Sequence, residues 1–529
     1  MVSATEDTMT LLRGFASVSG MVFVSRLLGL WRDIIIASVF GAGGVSDAFF
    51  TAFRLPNTLR RFTAEGALTQ AFVPIYSAQQ RRDATQAAKL AGEIATLLLA
   101  ALLLLSLLCI VFAPYVIVAL APGLEQMALA ADLLRVLFFY IVLISLVALF
   151  SGILNAHSYF HAAAVAPLFL NIAMIAAALW WTPFFQQPIF ALAWGVLLAG
   201  VVQLLWLLWH VKRAGLLPSL PRCWQFSASL GQVFRLFWRS ALGSSAAQFN
   251  LLINLFIASF FTAGSISWLY YADRLMELPA GLLGAALTTV VLPALSAHAD
   301  KPTEFQELLD NALRLILFLA VPAAAGLAYL ALPLVSTLFL HGAFSASDVQ
   351  MTQLAVLAYA VGVPGLVAVR PLAAAFFARQ DAGVPVRAAV AALCLTQLLN
   401  VIFIFGLQLA HVGLALSVGL AACANALILY IVLRRRGWFK PQSGWHKFYL
   451  QLFAALAVML LVLFFIVPED SFWLQATTWQ RIGKLTLCLL AAVGAYFSTA
   501  YLCGMRPQQF NQRLMPLPSP LTSEETSKK

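Results

Sequence analysis

The chain has 529 residues, of which 62% are hydrophobic and only 10% are charged. Soluble domains carry about 25% charged residues, so this composition excludes a soluble globular protein and predicts an all-α, polytopic membrane protein. The net charge of +11 fits basic loops that face an anionic leaflet, and no nucleic-acid partner is expected. The six cysteines show no paired spacing, so we expect neither a disulfide nor a metal site.

A membrane-spanning helix needs about 20 apolar residues, and fourteen segments meet this requirement. Their centres lie near residues 25, 58, 100, 143, 170, 200, 250, 280, 319, 364, 395, 421, 457 and 493. Basic residues occur in alternate loops, such as Arg81–Arg82 and Lys212–Arg213, whereas the opposite loops carry none. This alternation predicts that both termini lie in the cytoplasm. Residues 506–529 are rich in Pro, Ser and charge and predict a disordered tail.

The first predicted helix carries charge in an apolar setting. Arg26 and Asp33 fall at i and i+7 and share a face, and Arg32 is adjacent to Asp33. An Arg near the centre of a lone membrane helix costs roughly 2.5–3.5 kcal/mol on insertion scales. Such residues therefore indicate a wet cavity or pairs of opposite charge.

The second predicted helix carries a stripe of charge. Asp47, Arg54 and Arg61 fall at i, i+7 and i+14, which puts them on one face of a straight helix. Glu65 lies five whole turns from Asp47, whereas Arg60 lies off the stripe. Arg54 and Arg61 fit two interpretations equally, a place in a polar cavity or a position at the membrane interface with the charged end in water.

The eighth predicted helix repeats this theme with Asp273, Arg274 and Glu277. Its two acids share a face at i and i+4. Arg370, which directly precedes Pro371, is expected at the end of a helix.

An internal repeat organises these segments. Residues 36–43 read like residues 257–264, and Arg54-Leu55 matches Arg274-Leu275. The period is about 220 residues, or six helices, and an even number of helices gives both units the same orientation, as in parallel transporter repeats. The sequence thus predicts two six-helix lobes plus two C-terminal helices, divided as 1–222, 223–440, 441–505 and the tail 506–529.

The charged residues favour an anionic ligand. Guanidinium groups bind phosphate or pyrophosphate through paired donors, and Arg26, Arg32, Arg60 and Arg274 supply them. The nearby acids would keep an empty cavity from being intolerably positive and could bind sugar hydroxyls or amides. The alternative is that these charges form structural ion pairs that lock helices together without touching a ligand.

Four segments resemble one known family: residues 25–33 (SRLLGLWRD), 41–75, 267–281 (SWLYYADRLMELPAG) and 416–426 (LSVGLAACANA). They are similar to the MurJ (MviN) family of lipid II flippases, part of the multidrug/oligosaccharidyl-lipid/polysaccharide exporter superfamily. The similarity runs over residues 10–505, and the second segment is the most specific.

The resemblance implies fourteen helices in two lobes around a cationic cavity, with alternating access between the two sides of a bacterial inner membrane. It implies lipid II, undecaprenyl-pyrophosphoryl-MurNAc-pentapeptide-GlcNAc, as the substrate and a groove for the lipid tail on the last two helices. It places the cavity arginines on Arg26, Arg32, Arg60 and Arg274 and acidic partners on Asp47 and Glu65. With the patterns above, the candidate substrate-binding set is Arg26, Arg32, Asp33, Asp47, Asn57, Arg60, Glu65, Asp273, Arg274 and Glu277.

The resemblance also implies transport without catalysis, so no catalytic residue and no cofactor are expected. The expected partners are lipid II, membrane lipids and the cell-wall synthesis or division machinery. Some members of the family are thought to use a sodium site with an acid on the seventh helix. Residues 240–262 contain no acid, so sodium coupling is not expected.

Three other functions compete with this one. A drug or cation antiporter of the same superfamily would need a cavity of net negative charge, and this one counts as positive. A membrane glycosyltransferase or phosphatase would need placed carboxylates or a His base, often with a metal, and the basic loops carry no paired acid motif. A non-transporting scaffold would not explain the intramembrane charge.

Overall fold

A computed structural model describes residues 2–63, 67–219 and 227–505, and these residues form helices with no strand among them. The predicted disordered tail, residues 506–529, lies outside the described residues. The helices of the N-terminal half are α1 (Val2–Phe40), α2 (Gly44–Thr63), α3 (Ala67–Arg82), α4 (Ala84–Val111), α5 (Ala113–Leu120), α6 (Met127–Leu137), α7 (Tyr140–Ala156), α8 (Phe160–Ala176), α9 (Phe190–Arg213) and α10 (Ala228–Ala258). Those of the C-terminal half are α11 (Ser265–Ala297), α12 (Pro302–Tyr329), α13 (Ala331–Phe339), α14 (Ala346–Ala360), α15 (Val363–Ala378), α16 (Gly383–Val401), α17 (Ala410–Arg435), α18 (Trp445–Ile466), α19 (Asp470–Gln475) and α20 (Thr478–Leu502).

Local sequence signals explain several helix boundaries. Asp83 precedes α4, and its carboxylate accepts a hydrogen bond from Thr85 N at 2.8 Å, as an N-cap residue does. Thr477 and Gln480 form a reciprocal capping box at the start of α20. Gly41 ends α1 with a φ of +67°, a conformation that a glycine adopts at little cost.

Ten helical segments of the described residues are long and apolar enough to cross a membrane, as a polytopic protein requires. The predicted spans near residues 25, 58, 250 and 280 fall in α1, α2, α10 and α11, which are outside those ten. The count of fourteen spans stays a prediction.

The two halves share features that the repeat predicts. α8 and α16 each end in a π-helical turn. Ser38 and Ser259 are equivalent in the repeat, and each binds a loop. Ala343 N donates to the Ser38 carbonyl at 2.7 Å, and Gly123 N donates to Ser259 Oγ at 3.2 Å. The two serines thus both accept a hydrogen bond from a loop N–H, one through its carbonyl and the other through its hydroxyl, as an internal repeat allows.

The chain divides into two compact units. The first comprises residues 1–267 and 341–345, and the second comprises residues 268–340 and 346–529. α10 belongs to the first unit, where Ser229 in its first turn accepts a hydrogen bond from Gln79 of α3. The predicted division at residue 222 describes the sequence repeat rather than this packing, and it stays a prediction.

The last two long helices are firmly attached to the second unit. α18 and α20 pack on α12 in one hydrophobic cluster, and the Tyr496 hydroxyl donates to the Phe318 carbonyl at 2.6 Å. Arg481, with 7% relative exposure, donates to the Ser336 carbonyl of α13 at 2.7 Å. These contacts fix α20 at both ends.

Candidate substrate-binding site

α1 carries three of the predicted site residues, and two of them form a buried network. The Arg32 guanidinium donates to Asp33 Oδ1 through Nε at 2.9 Å and through Nη2 at 2.7 Å. Its Nη1 donates to Asn171 Oδ1 at 3.1 Å, and the Asn171 amide donates to the Ser25 carbonyl at 3.0 Å. Arg32 therefore ties α1 to α8, whereas Arg26 is exposed on the same helix.

Asp47, in the first turn of α2, holds the start of α11. Its buried carboxylate accepts hydrogen bonds from Gly264 N at 2.7 Å, from Ser267 N at 2.8 Å and from Ser267 Oγ at 2.5 Å. The first N–H groups of a helix lack partners within that helix and favour a negative charge, so Asp47 caps α11 from another segment. The contact joins residues 220 positions apart in the chain, so it fixes the start of α11 against α2.

Asn57 and Arg60 lie near the C-terminal end of α2. Arg60 Nε donates to Asn57 Oδ1 at 3.2 Å, and both residues are half-buried. An amide oxygen orients a guanidinium without cancelling its charge, so this contact suits an arginine that faces an anion. Arg54 and Arg61 are also half-buried. Glu65 lies outside the described residues.

Arg274 lies on α11 among residues of its own helix. Its Nη1 donates to Glu277 Oε2 at 2.9 Å, and its guanidinium carbon lies 5.0 Å from the centre of the Tyr270 ring. The side chains of Arg274 and Glu277 retain 30% and 46% exposure, and Asp273 is half-buried. Tyr270 is not among the predicted site residues, although its i, i+4 spacing to Arg274 is a sequence signal for this stacking.

Arg370 is not at a helix end, so that prediction was wrong. It lies inside α15, which continues through Pro371. Its guanidinium packs against Gly284 of α11, where an added Cβ would lie 2.5 Å from Arg370 Cζ. Membrane helices tolerate an internal proline because neighbouring groups satisfy the freed backbone. Gly284 is ten residues from Arg274, so about 15 Å of helix separates the two guanidinium contacts on α11.

An apolar cavity lies in the second unit, and α11 forms one of its walls. It has a volume of about 420 Å³ and is lined by residues of α11, α12, α13, α18 and α20. On α11 its wall includes Leu275 and Leu278. These two residues directly follow Arg274 and Glu277 in the sequence. The one hydroxyl in its wall, on Tyr496, is already bonded to a backbone carbonyl. The wall of the cavity is therefore apolar and suits a hydrocarbon chain.

The structure brings some predicted residues together within each unit and leaves others apart. The contacting pairs are Arg32–Asp33 and Asn57–Arg60 in the first unit and Arg274–Glu277 in the second. Asp47 instead binds the backbone of α11. Substrate contact by any member of the set stays a prediction.

The comparisons with known proteins agree on one family. Residues 36–475 match the sequence profile of the family described as Lipid II flippase MurJ. A protein of Burkholderia cenocepacia named "Lipid II flippase MurJ" is 40% identical over 518 residues, which covers 96% of this chain and 100% of that protein.

Solved structures agree with the sequence comparison. A structure described as "Lipid II flippase MurJ, inward closed conformation" is 26% identical and superimposes with a TM-score of 0.78, covering 92% of this chain and 98% of that one. An inward-facing multidrug resistance MATE family transporter of the MOP superfamily, at 17% identity and a TM-score of 0.65, covers 78% of this chain and 94% of its own and shares the fold. The chain therefore belongs to the MurJ family of lipid II flippases.

Proposed function

We propose that this chain moves lipid II from the inner to the outer leaflet of the bacterial cytoplasmic membrane by alternating access, for peptidoglycan synthesis. The observation that carries the proposal is on α11, where Arg274 directly precedes Leu275, a residue of the wall of the apolar cavity. A lipid with an anionic head and a long hydrocarbon chain needs a cationic group next to an apolar channel. Membership of the MurJ family narrows that class of substrate to lipid II.

The head of the substrate docks on arginines. The diphosphate of lipid II matches the paired donors of a guanidinium. Arg26 is exposed, and Arg60 and Arg274 are partly exposed, so each of these three side chains is accessible to an anion. Arg32 is buried in a network and positions α1. The acids Asp273 and Glu277 bind polar groups of the sugar or peptide. Arg370 adds a further cation on α15.

The tail of the substrate runs through the apolar cavity along α18 and α20. Burying a polyprenyl chain in protein gains little over lipid, so the cavity guides the chain rather than providing affinity. This accounts for two helices that the six-helix repeat does not need.

The chain is a transporter of the inner membrane rather than an enzyme. Both termini lie in the cytoplasm, because the basic loops alternate along the chain. Its further partners are membrane lipids and the cell-wall synthesis or division machinery. Transport does not require sodium, since the seventh helix has no acid between residues 240 and 262.

Depletion of the chain in its host tests the proposal. Lipid II should then stay on the cytoplasmic leaflet, where an externally added enzyme that cleaves lipid II cannot reach it. Expression of the wild-type chain should restore cleavage, whereas Arg274→Ala should not. Unchanged cleavage after depletion would exclude the flippase function.

A matched pair of glycines tests the path of the tail. Gly326 of α12 lines the cavity, and Gly494 of α20 does not; neither has an atom within 4 Å of an added Cβ. Gly326→Trp should fill the cavity and lower lipid II transport, while Gly494→Trp should leave transport near the wild-type rate. Equal transport by the two variants would show that the tail takes another path.

A further inference from the structure

Unpaired basic residues crowd the linker that joins α17 to α18. Arg434 and Arg435 end α17, Lys440 lies in the linker, and Lys447 lies in the first turn of α18. All four are exposed. In the described part of the chain, no acid forms an ion pair with any of them.

The first half of the linker is fixed by a stack of rings and guanidinium groups. Trp438 lies between Arg379 and Arg436, whose guanidinium carbons are 4.7 Å and 4.9 Å from its ring centre. Arg379 also lies 4.4 Å from the Phe305 ring of α12. Arg436 forms an ion pair with Asp381, and its hydrogen bond lowers the pKa of that carboxyl.

The second half of the linker is fixed by a buried acid of α12. Asp310 accepts hydrogen bonds from Gln442 N at 3.2 Å and from Trp445 Nε1 at 2.8 Å. Arg314 pairs with Asp310 at 2.8 Å and donates to the Ser443 carbonyl at 3.0 Å. The linker backbone is therefore held in one shape, and the four unpaired bases project from a fixed support.

Apolar helix surfaces lead up to these bases. Leu427 of α17 has 56% relative exposure, and Leu450 and Phe453 of α18 have 73% and 61%. Both helices are apolar and long enough to span a membrane, so these side chains contact acyl chains. A surface with apolar helices below and cations at their end matches one amphiphile with an anionic head.

We propose that the α17–α18 linker binds the headgroup of an anionic glycerophospholipid. Its phosphate lies among Arg434, Arg435, Lys440 and Lys447, and its acyl chains lie along the exposed surfaces of α17 and α18. The positive charge that the headgroup meets comes from these four residues, because the arginines that fix the linker already have acidic or aromatic partners. Such a lipid stabilises the start of α18, and this binding is independent of which substrate the chain transports.

A general attraction between basic loops and an anionic leaflet predicts something different. Four other exposed bases, Arg81, Arg82, Lys212 and Arg213, carry the same charge in two separate loops. A general attraction would give both groups the same effect on lipid binding. A specific site predicts that removing the charges of the linker weakens lipid binding more than removing the charges of these other four residues.

The test is a titration of the purified full chain with phosphatidylglycerol in zwitterionic mixed micelles, with bound lipid counted by native mass spectrometry. The variant R434Q/R435Q/K440Q/K447Q should bind phosphatidylglycerol about tenfold or more weakly. The matched control R81Q/R82Q/K212Q/R213Q should bind it nearly as well as the wild type. R434K/R435K, which keeps the charge and tests folding, should retain binding.

Several outcomes would overturn the proposal. Equal losses of lipid binding in the two quadruple variants would mean that only a general attraction acts. A loss in neither variant would mean that phosphatidylglycerol does not bind at the linker. Displacement of the phospholipid by an equal concentration of inorganic phosphate would show that the linker binds free phosphate. Thermal unfolding of each variant without added lipid checks that the fold is intact. If the quadruple linker variant unfolds, the double variant R434Q/R435Q replaces it: weaker binding than R434K/R435K supports the proposal, and equal binding overturns it.

Discussion

The charged helices of the two units hold their arginines in opposite ways. In the first unit, Arg32 of α1 is buried, with 6% relative exposure, and its partner Asp33 has none. Its third contact, Asn171, lies 139 residues away on α8. In the second unit, the Arg274 side chain keeps 30% exposure, and both of its described partners belong to α11.

This difference predicts that Arg32 holds helices together, whereas Arg274 is available to a ligand. Removing one partner of a buried ion pair costs about 3–5 kcal/mol, because the other charge stays buried without compensation. An exposed pair contributes roughly 0.2–1 kcal/mol. A growth defect from a change at Arg32 thus mixes folding with transport, whereas one from a change at Arg274 reports on transport.

The largest expected effect is the loss of stability from Arg32→Ala. Asp33 would lose its cation and α1 its link to α8, so the free energy of unfolding should fall by about 3–5 kcal/mol. Thermal unfolding in detergent and the amount of protein in the membrane measure this. Arg26→Ala, on the exposed face of the same helix, should change stability by less than about 0.5 kcal/mol.

A double variant decides whether the network is a lock. Arg32→Met with Asp33→Leu removes both charges and should recover most of the lost stability, but not transport. An Arg32→Ala variant as stable as the wild type would contradict the distinction between the two units.

The next effect is at the start of α11. Asp47→Ala leaves the N–H groups of Gly264 and Ser267 without an acceptor, and each unsatisfied buried group costs about 1–3 kcal/mol. Hydrogen exchange at these two amides should rise by at least tenfold. Val45→Ala, at an exposed position two residues before Asp47, is the control; equal exchange in both variants would mean that Asp47 does not cap α11.

A smaller effect on stability, with a large one on transport, is expected for Arg274→Ala. Its stability should change by less than about 1 kcal/mol, while lipid II transport should be lost. Arg274→Lys keeps the charge without the paired donors and should transport at an intermediate rate. If Arg274→Ala transported lipid II at the wild-type rate, the charged face of α11 would not be a ligand site.

The sequence predicted much of this arrangement, because charged residues are rare in membrane-spanning segments and therefore mark candidate sites. The charged segments, the repeat and the family all followed from short stretches. The pairing of Arg32 with Asn171 did not, since no local pattern links residues on α1 and α8.

Two further misses have physical causes. The carboxylate of Asp47 binds the backbone N–H groups of Gly264 and Ser267, and a pattern of side chains in the sequence does not reveal a backbone partner. The prediction that Arg370 ends a helix follows from the behaviour of soluble proteins, in which helices usually end at or before the residue that precedes a proline. In a membrane helix the freed backbone groups can find partners elsewhere, so α15 continues through Pro371.

The smallest expected effect comes from Gly284→Ala, which tests whether the contact of Arg370 with α11 matters. The new Cβ would lie 2.5 Å from Arg370 Cζ, so the guanidinium must move. It can move at little cost, because it is the flexible end of its side chain. Alanine also favours the helix by about 1 kcal/mol over glycine, so stability should hardly fall. Lipid II transport should drop a few-fold as the charge shifts. Gly494→Ala has the same helix gain and open space around it, and should transport normally. Identical transport rates in the two variants would mean that the position of Arg370 against α11 has no part in transport.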